Sequence, residues 1–287
     1  MTDNRSIAGE AAGVPFLAVP PASGSTKSTP TVVVWHMMDA PRTEAAFAAA
    51  LPLEGLDVWR IYLGLPMCGS RLPQGGFEEL VRLATEDAVL NLHGPVVAQA
   101  VGEFPTALED LRGRLGLGQG RIGVVGASIG AAIALGVLTE SGMAVDAAVL
   151  ISPVIRLRAM VEAMSRFYGI TYPWSDPSRK IADRLDFVAR ADEIASAGEP
   201  AVLLVVGEED DVEGFRRPAE ALRDALTGRY AEARRAETIL VPGMAHALAE
   251  EPGMEPAQQT QHAAEVDRLA VQWLRRHLAR HGAEASG

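Results

Sequence analysis

The chain has a single cysteine, Cys68, so it can form neither an internal disulfide nor a multi-cysteine zinc site. Lysine occurs only at Lys27 and Lys180, and the acidic residues outnumber the basic ones to a formal net charge of −11. A chain this acidic, with no basic cluster, is not built to neutralise phosphates, which excludes nucleic acid as a partner. No apolar run reaches the ~18–20 residues of a membrane span. Met1–Gly13 is polar and small, without the basic-then-apolar order of an export signal. These absences point to a reduced, cytoplasmic, metal-free protein with no membrane partner.

What is present is a globular core: 48% of the 287 residues are hydrophobic, enough to bury one large interior without staples. Residues 1–30 read as a mobile N-terminal segment, because Met1–Gly13 and Pro21–Pro30 are rich in Pro, Ser, Thr and Gly; Val14–Val19 between them predicts one short edge strand. From Thr31 onward strands and helices alternate. Strands are predicted over Thr31–His36, Asp57–Leu63, Arg121–Val125, Ala147–Ser152, Ala201–Val206 and Glu237–Val241. Helices are predicted over Thr43–Leu51, Phe77–Val89, Pro95–Leu115, Ser128–Ser141, Gly214–Leu226 and Ala257–Arg280. This rhythm predicts an α/β fold, a mostly parallel sheet with helices on both faces, as one domain over 31–283.

One stretch breaks the rhythm. Ile155–Gly198 is too long for a simple crossover and holds Met160, Met164, Phe167, Tyr168, Tyr172 and Trp174. It predicts a small, cap-like helical insertion (155–198) over the strand ends. The alternative is that Met160, Met164 and Phe167, at helical spacing, pack down as core.

In parallel sheets functional groups gather at the carboxyl ends of the strands. Gly126-Ala-Ser-Ile-Gly130 follows the third main strand and opens a helix, the G-x-S-x-G setting that exposes a serine hydroxyl on a sharp turn. A serine used this way needs a base, and a carboxylate to orient that base. His246 lies in a Gly-containing loop just past the last strand; His36, His93, His262, His277 and His281 have weaker placements. The acid must come from Gly207-Glu-Glu-Asp-Asp211, with Asp210 first, Asp211 second and Glu208 third. The chain order is then serine, acid, histidine.

That order, with Gly-Ala-Ser-Ile-Gly, Val-Val-Gly-Glu-Glu-Asp and Pro-Gly-Met-Ala-His, resembles the α/β-hydrolase family. The likeness covers about Thr31 to Leu278. More narrowly, it is similar to the dienelactone-hydrolase and prolyl-oligopeptidase-like esterase branch. The resemblance implies Ser128 as nucleophile, His246 as base, Asp210 as acid, and an oxyanion hole from the N–H groups of Ile129 and Met38. Met37 stands where the family has glycine. The implied chemistry is two-step acyl transfer with no cofactor. Met37, Met38, Met160, Met164, Phe167 and Tyr168 are candidate pocket residues suited to an uncharged acyl group. Cys68, in the loop after the second strand, is expected to pack or to line the pocket, with no base beside it.

The expected activity is hydrolysis of a small or medium acyl ester. A peptidase is less favoured, since the large enzymes of this likeness carry a propeller ahead of the domain and only a short segment precedes Thr31. A thioesterase or acyltransferase of secondary metabolism is an alternative, with Arg71, Arg156 and Arg158 available to a coenzyme A phosphate. So is a non-catalytic binding protein on the same fold. A homodimer is compatible with the sequence.

Overall fold

The computed structural model describes residues 6–278. Eight strands build one sheet: β1 (Ile7–Ala11), β2 (Val14–Val19), β3 (Thr31–Trp35), β4 (Trp59–Leu63), β5 (Ile122–Ala127), β6 (Ala147–Ile151), β7 (Ala201–Gly207) and β8 (Ala236–Val241). Their spatial order is β1-β2-β4-β3-β5-β6-β7-β8. The six strands from β4 to β8 in that order run parallel, and β2 and β1 add antiparallel at one edge.

The N-terminal segment holds two strands where the sequence predicts one. Ile7–Ala11 and Val14–Val19 pair as a hairpin, and the outer position belongs to β1, not to Val14–Val19. The physical reason lies in the turn and in the pattern. Ala12 and Gly13 both take positive φ (48° and 81°), the two-residue geometry whose twist matches a hairpin. Val14–Val19 is apolar on both faces, so it belongs inside a sheet: Val14, Phe16 and Ala18 join one core cluster, Leu17 and Val19 the other.

Nine α-helices flank the sheet: α1 (Glu44–Ala50), α2 (Gly76–Ala88), α3 (Gly94–Leu115), α4 (Ile129–Glu140), α5 (Leu157–Tyr168), α6 (Asp176–Arg184), α7 (Ala191–Ser196), α8 (Arg217–Thr227) and α9 (Gln261–Leu278), counted among the described residues. Alternate side chains of each strand divide between two cores. Val33 and Trp35 of β3 belong to the core that also holds α3, α4 and α8, while Val32 and Val34 belong to the core that holds α1 and α9. The final helix starts at Gln261, later than its apolar pattern suggests, because the Thr260 hydroxyl accepts the Ala263 N–H and caps it. Its predicted last residues, and His281, lie outside the described residues. No described helix is long and apolar enough to cross a membrane.

Of the long stretch 155–198, α7 packs on α4 and α8 as an ordinary crossover helix. Of the rest, α5 sends Leu157, Met160 and Val161 into the core cluster shared with α3 and α4. α5 packs against the turn Val212–Arg216, and α6 against the turn Val89–His93 that joins α2 to α3. Asp87 ties them down: its carboxylate accepts from the hydroxyls of Tyr172, Ser175 and Ser178 and from the Leu90 N–H.

The turn between β5 and α4 explains both glycines of the Gly126–Gly130 motif. A Cβ on Gly126 would sit 2.2 Å from the Gly130 carbonyl oxygen, and one on Gly130 would sit 2.4 Å from the carbonyl oxygen of His36. Strand, helix and the end of β3 meet there with no room for a methyl group. Gly126→Ala is therefore expected to destabilise the protein by about 3 kcal/mol, since the atoms it strikes are backbone and cannot yield. Chemical denaturation would show it as a lower midpoint.

Candidate active site

Ser128 occupies the turn that these glycines make possible. Its backbone is held at φ 51°, ψ −117°, a conformation a side chain rarely takes. The Ser128 N–H donates to the Ile151 carbonyl at 2.9 Å, and the Ser128 carbonyl accepts from Ala131 and Val154 at 3.0 and 3.2 Å. The hydroxyl is thereby presented above the ends of β5 and β6, at the point where the α5–α6 excursion begins.

The structure brings His246 and Asp210 to that hydroxyl. His246 Nε2 lies 2.9 Å from Ser128 Oγ, and His246 Nδ1 lies 2.7 Å from Asp210 Oδ1. Asp210 is buried, and its second oxygen accepts from the Ser152 hydroxyl at 2.7 Å and from the Gly207 N–H at 3.1 Å. With both oxygens engaged, the carboxylate is locked in orientation. Ser152 itself is fully buried at φ 40°. The Phe215 ring lies over the imidazole, centroids 4.4 Å apart. Burial works against protonating His246, but the hydrogen bond and charge of Asp210, with Asp39 farther off, outweigh it and hold the pKa above the ordinary histidine value. The site can take a proton from a serine and hold it.

The other two acids are committed elsewhere. Asp211 caps the 212–216 turn through the Gly214 N–H at 2.7 Å and pairs with Arg166 at 3.0 Å. Glu208 accepts from the Gly243 N–H at 2.9 Å, which pins the acid loop to the loop carrying His246.

The loop after β3 is held from three sides. His36 is fully buried; its Nδ1–H donates to the Met37 carbonyl at 2.8 Å while its Nε2 accepts from the Leu65 N–H at 3.1 Å. Burial, opposed by the Met37 hydrogen bond, brings its pKa down to about 4, so the ring stays neutral and keeps this pairing. Fixing the Met37 carbonyl fixes the peptide that carries the Met38 N–H. Among the described residues that N–H has no protein acceptor, and α4 opens at Ile129, with Gly130 against the His36 carbonyl. Arg42 closes the loop from the other side, donating to the Met38 carbonyl at 2.6 Å, to the Pro252 carbonyl at 3.1 Å and to Glu251. The Ala40 carbonyl accepts from Leu248 and Ala249, so the loop rests on the segment that follows His246.

Three of the candidate pocket residues are buried, and for Met160 and Cys68 this matches the packing alternative. Met37 is fully buried in the cluster under α1 and α9, so it packs below the sheet instead of facing a substrate. Its backbone does not take a positive φ, which is why methionine serves where the family has glycine. Met160 and Cys68 are buried in the opposite cluster. Burial also pushes the Cys68 thiol up to about 12, which leaves it unreactive. Met38 is partly buried, while Met164, Phe167 and Tyr168 are exposed on α5. Arg71, Arg156 and Arg158 are paired with Glu103, Asp186 and Asp183, so none of the three is free for a phosphate. Among the described residues no group of three His, Cys, Asp or Glu is disposed to hold a metal ion.

Ser152, Phe215, Arg42 and Asp39 also reach the site, and no sequence motif marks them. Each acts by contact with a residue distant in the chain, so none leaves a local pattern.

The chain is similar to a carboxyl esterase from Bacillus coagulans (TM-score 0.60, 11% identity, 96% of this chain and 98% of that one). It is similar to a dienelactone hydrolase from Anabaena variabilis (TM-score 0.53, 18% identity, 96% and 100%). It is also similar to a puromycin-hydrolysing peptidase from Mycobacterium tuberculosis (TM-score 0.63, 18% identity), covering 98% of this chain but 40% of that one. No curated protein matches. The fold is that of the α/β-hydrolases, and the protein is a hydrolase of the serine class. Residues 101–280, which hold the serine turn, the acid loop and the histidine loop, match the prolyl oligopeptidase family, and the chain belongs to that family.

Proposed function

We propose that Ser128, His246 and Asp210 form a catalytic triad that hydrolyses a small carboxylic ester through an acyl-enzyme. The observation that carries the reading is the continuous relay from Ser128 Oγ through both nitrogens of His246 to a locked, buried carboxylate. Ser128 Oγ attacks the ester carbonyl while His246 Nε2 takes its proton. The N–H groups of Ile129 and Met38 hold the oxyanion. His246 returns the proton to the departing alcohol, leaving the acyl group on Ser128. Water then attacks, its proton passing to Nε2 and finally to Ser128 as the acid is released. Asp210 keeps Nδ1 protonated throughout, and His36 and Arg42 orient the oxyanion loop.

The ester reading is supported by the likeness to a carboxyl esterase and a dienelactone hydrolase along nearly their whole lengths, and by exposed apolar groups on α5. The α5–α6 excursion acts as a cap, starting beside Ser128 and docked through Asp87. Family membership favours peptides as the second reading.

Turnover of acetyl and butyryl 4-nitrophenyl esters separates the two readings, with acyl thioesters and peptidyl 4-nitroanilides run in parallel. Esters are expected to exceed anilides in kcat/KM by at least about a hundredfold, and a fluorophosphonate probe is expected to label Ser128. Anilides turned over as fast as esters would replace the ester reading with the peptide one. No labelling and no turnover would end both.

A further inference from the structure

Within reach of the reacting atoms stands a carboxylate that the triad does not use. Asp39 Oδ2 lies 3.7 Å from His246 Nε2, the nitrogen that also holds Ser128 Oγ. Its side chain is 51% exposed, on the loop between Met38 and the Arg42 clamp. The neighbouring charges are already matched: Arg42 by Glu251, Asp211 by Arg166, Asp210 by His246. The Asp39 charge faces His246 Nε2 and is matched by no arginine or lysine among the described residues.

Its position relative to Nε2 decides which part of a substrate it meets. In an ester cleavage Nε2 must approach the leaving oxygen in order to protonate it. A group beside Nε2 therefore flanks the alcohol, not the far end of the acyl chain. Resting on the triad reading above, we propose that Asp39 is a specificity residue selecting esters whose alcohol carries a positive charge a few bonds from the ester oxygen. An aminoalkyl or quaternary-ammonium alcohol would bring its cation toward the carboxylate while its oxygen faces Nε2. An anionic alcohol would be repelled. For a cation brought within about 4–5 Å of a carboxylate half open to water, one charge is expected to change kcat/KM by about tenfold.

The test uses two esters of the same shape, acetylcholine and 3,3-dimethylbutyl acetate, which differ in having nitrogen or carbon at the branch. Acetate release is followed for the wild type, Asp39→Asn and Asp39→Lys. Because intrinsic reactivity cancels between variants, the readout is the ratio of kcat/KM for the charged ester over the neutral one. The ratio is expected to fall about tenfold in Asp39→Asn and further in Asp39→Lys. In the wild type it is also expected to shrink with added salt. A residue that only shaped the loop would lower both esters together and leave the ratio alone. An unchanged ratio in both variants, with turnover intact, overturns the role of Asp39 and leaves the triad standing. A wild type that hydrolyses neither ester and takes no fluorophosphonate overturns the triad reading, and this inference with it.

Discussion

Ser128→Ala is expected to lower kcat for any ester by about 10⁶-fold and to abolish fluorophosphonate labelling. The size follows from the mechanism, because without Oγ there is no acyl-enzyme and His246 has no proton to take. Whatever rate remains would come from the oxyanion donors and from binding alone. The substitution is clean for structural reasons. Among the described residues the Ser128 side chain hydrogen-bonds only to His246, and the strained turn is set by the backbone bonds to Ile151, Ala131 and Val154. Alanine keeps the Cβ and hence the same φ preference. The denaturation midpoint should therefore stay near that of the wild type, which separates lost chemistry from lost fold. A variant retaining a tenth of the wild-type rate would exclude Ser128 as the nucleophile.

The second large effect concerns the acid. Asp210→Asn is expected to cost about 10⁴-fold in kcat, while Asp211→Asn changes kcat by about threefold or less. The two residues are neighbours of like charge, and their surroundings separate them. Asp210 is buried and accepts from His246 Nδ1, Ser152 and Gly207 at once. An asparagine there presents an amide N–H to Nδ1, or turns away from it, and in either case the imidazole loses the tautomer that leaves Nε2 free to take a proton. Asp211 caps a turn and pairs with Arg166 at the surface, where an asparagine oxygen still caps and an exposed ion pair contributes ~1 kcal/mol at most. Steady-state kinetics of the two variants side by side would decide the assignment, and the reverse ranking would move the acid to Asp211.

Much of the fold is legible in the amino-acid sequence. Buried parallel strands announce themselves as β-branched runs, since a strand covered on both faces admits no polar position. The Gly126–Gly130 spacing is equally local: the clash that forbids Cβ atoms arises within five residues and the strand beside them. Where expectation and structure part, one cause recurs. Residue type and proximity in the chain put Met37 and Met160 near the pocket, but which way a side chain points depends on what lies across the sheet. Val14–Val19 reads as an edge strand because the Ile7–Ala11 strand outside it, mostly exposed, has no apolar signature of its own.

The amino-acid sequence alone therefore determined the alternating α/β order, the strained serine turn and the candidates His246 and Asp210. These rest on short-range sterics and on hydrophobic patterns that need no partner to be read. The tertiary structure alone decided how the five loops at the strand ends meet. It made Asp210 the acid that faces His246, set Ser152 behind that carboxylate, locked the Met38 peptide between His36 and Arg42, and put the Asp39 carboxylate beside Nε2. Those contacts join residues far apart in the chain, and a hydrogen bond has no counterpart in sequence until the backbone brings donor and acceptor within about 3 Å.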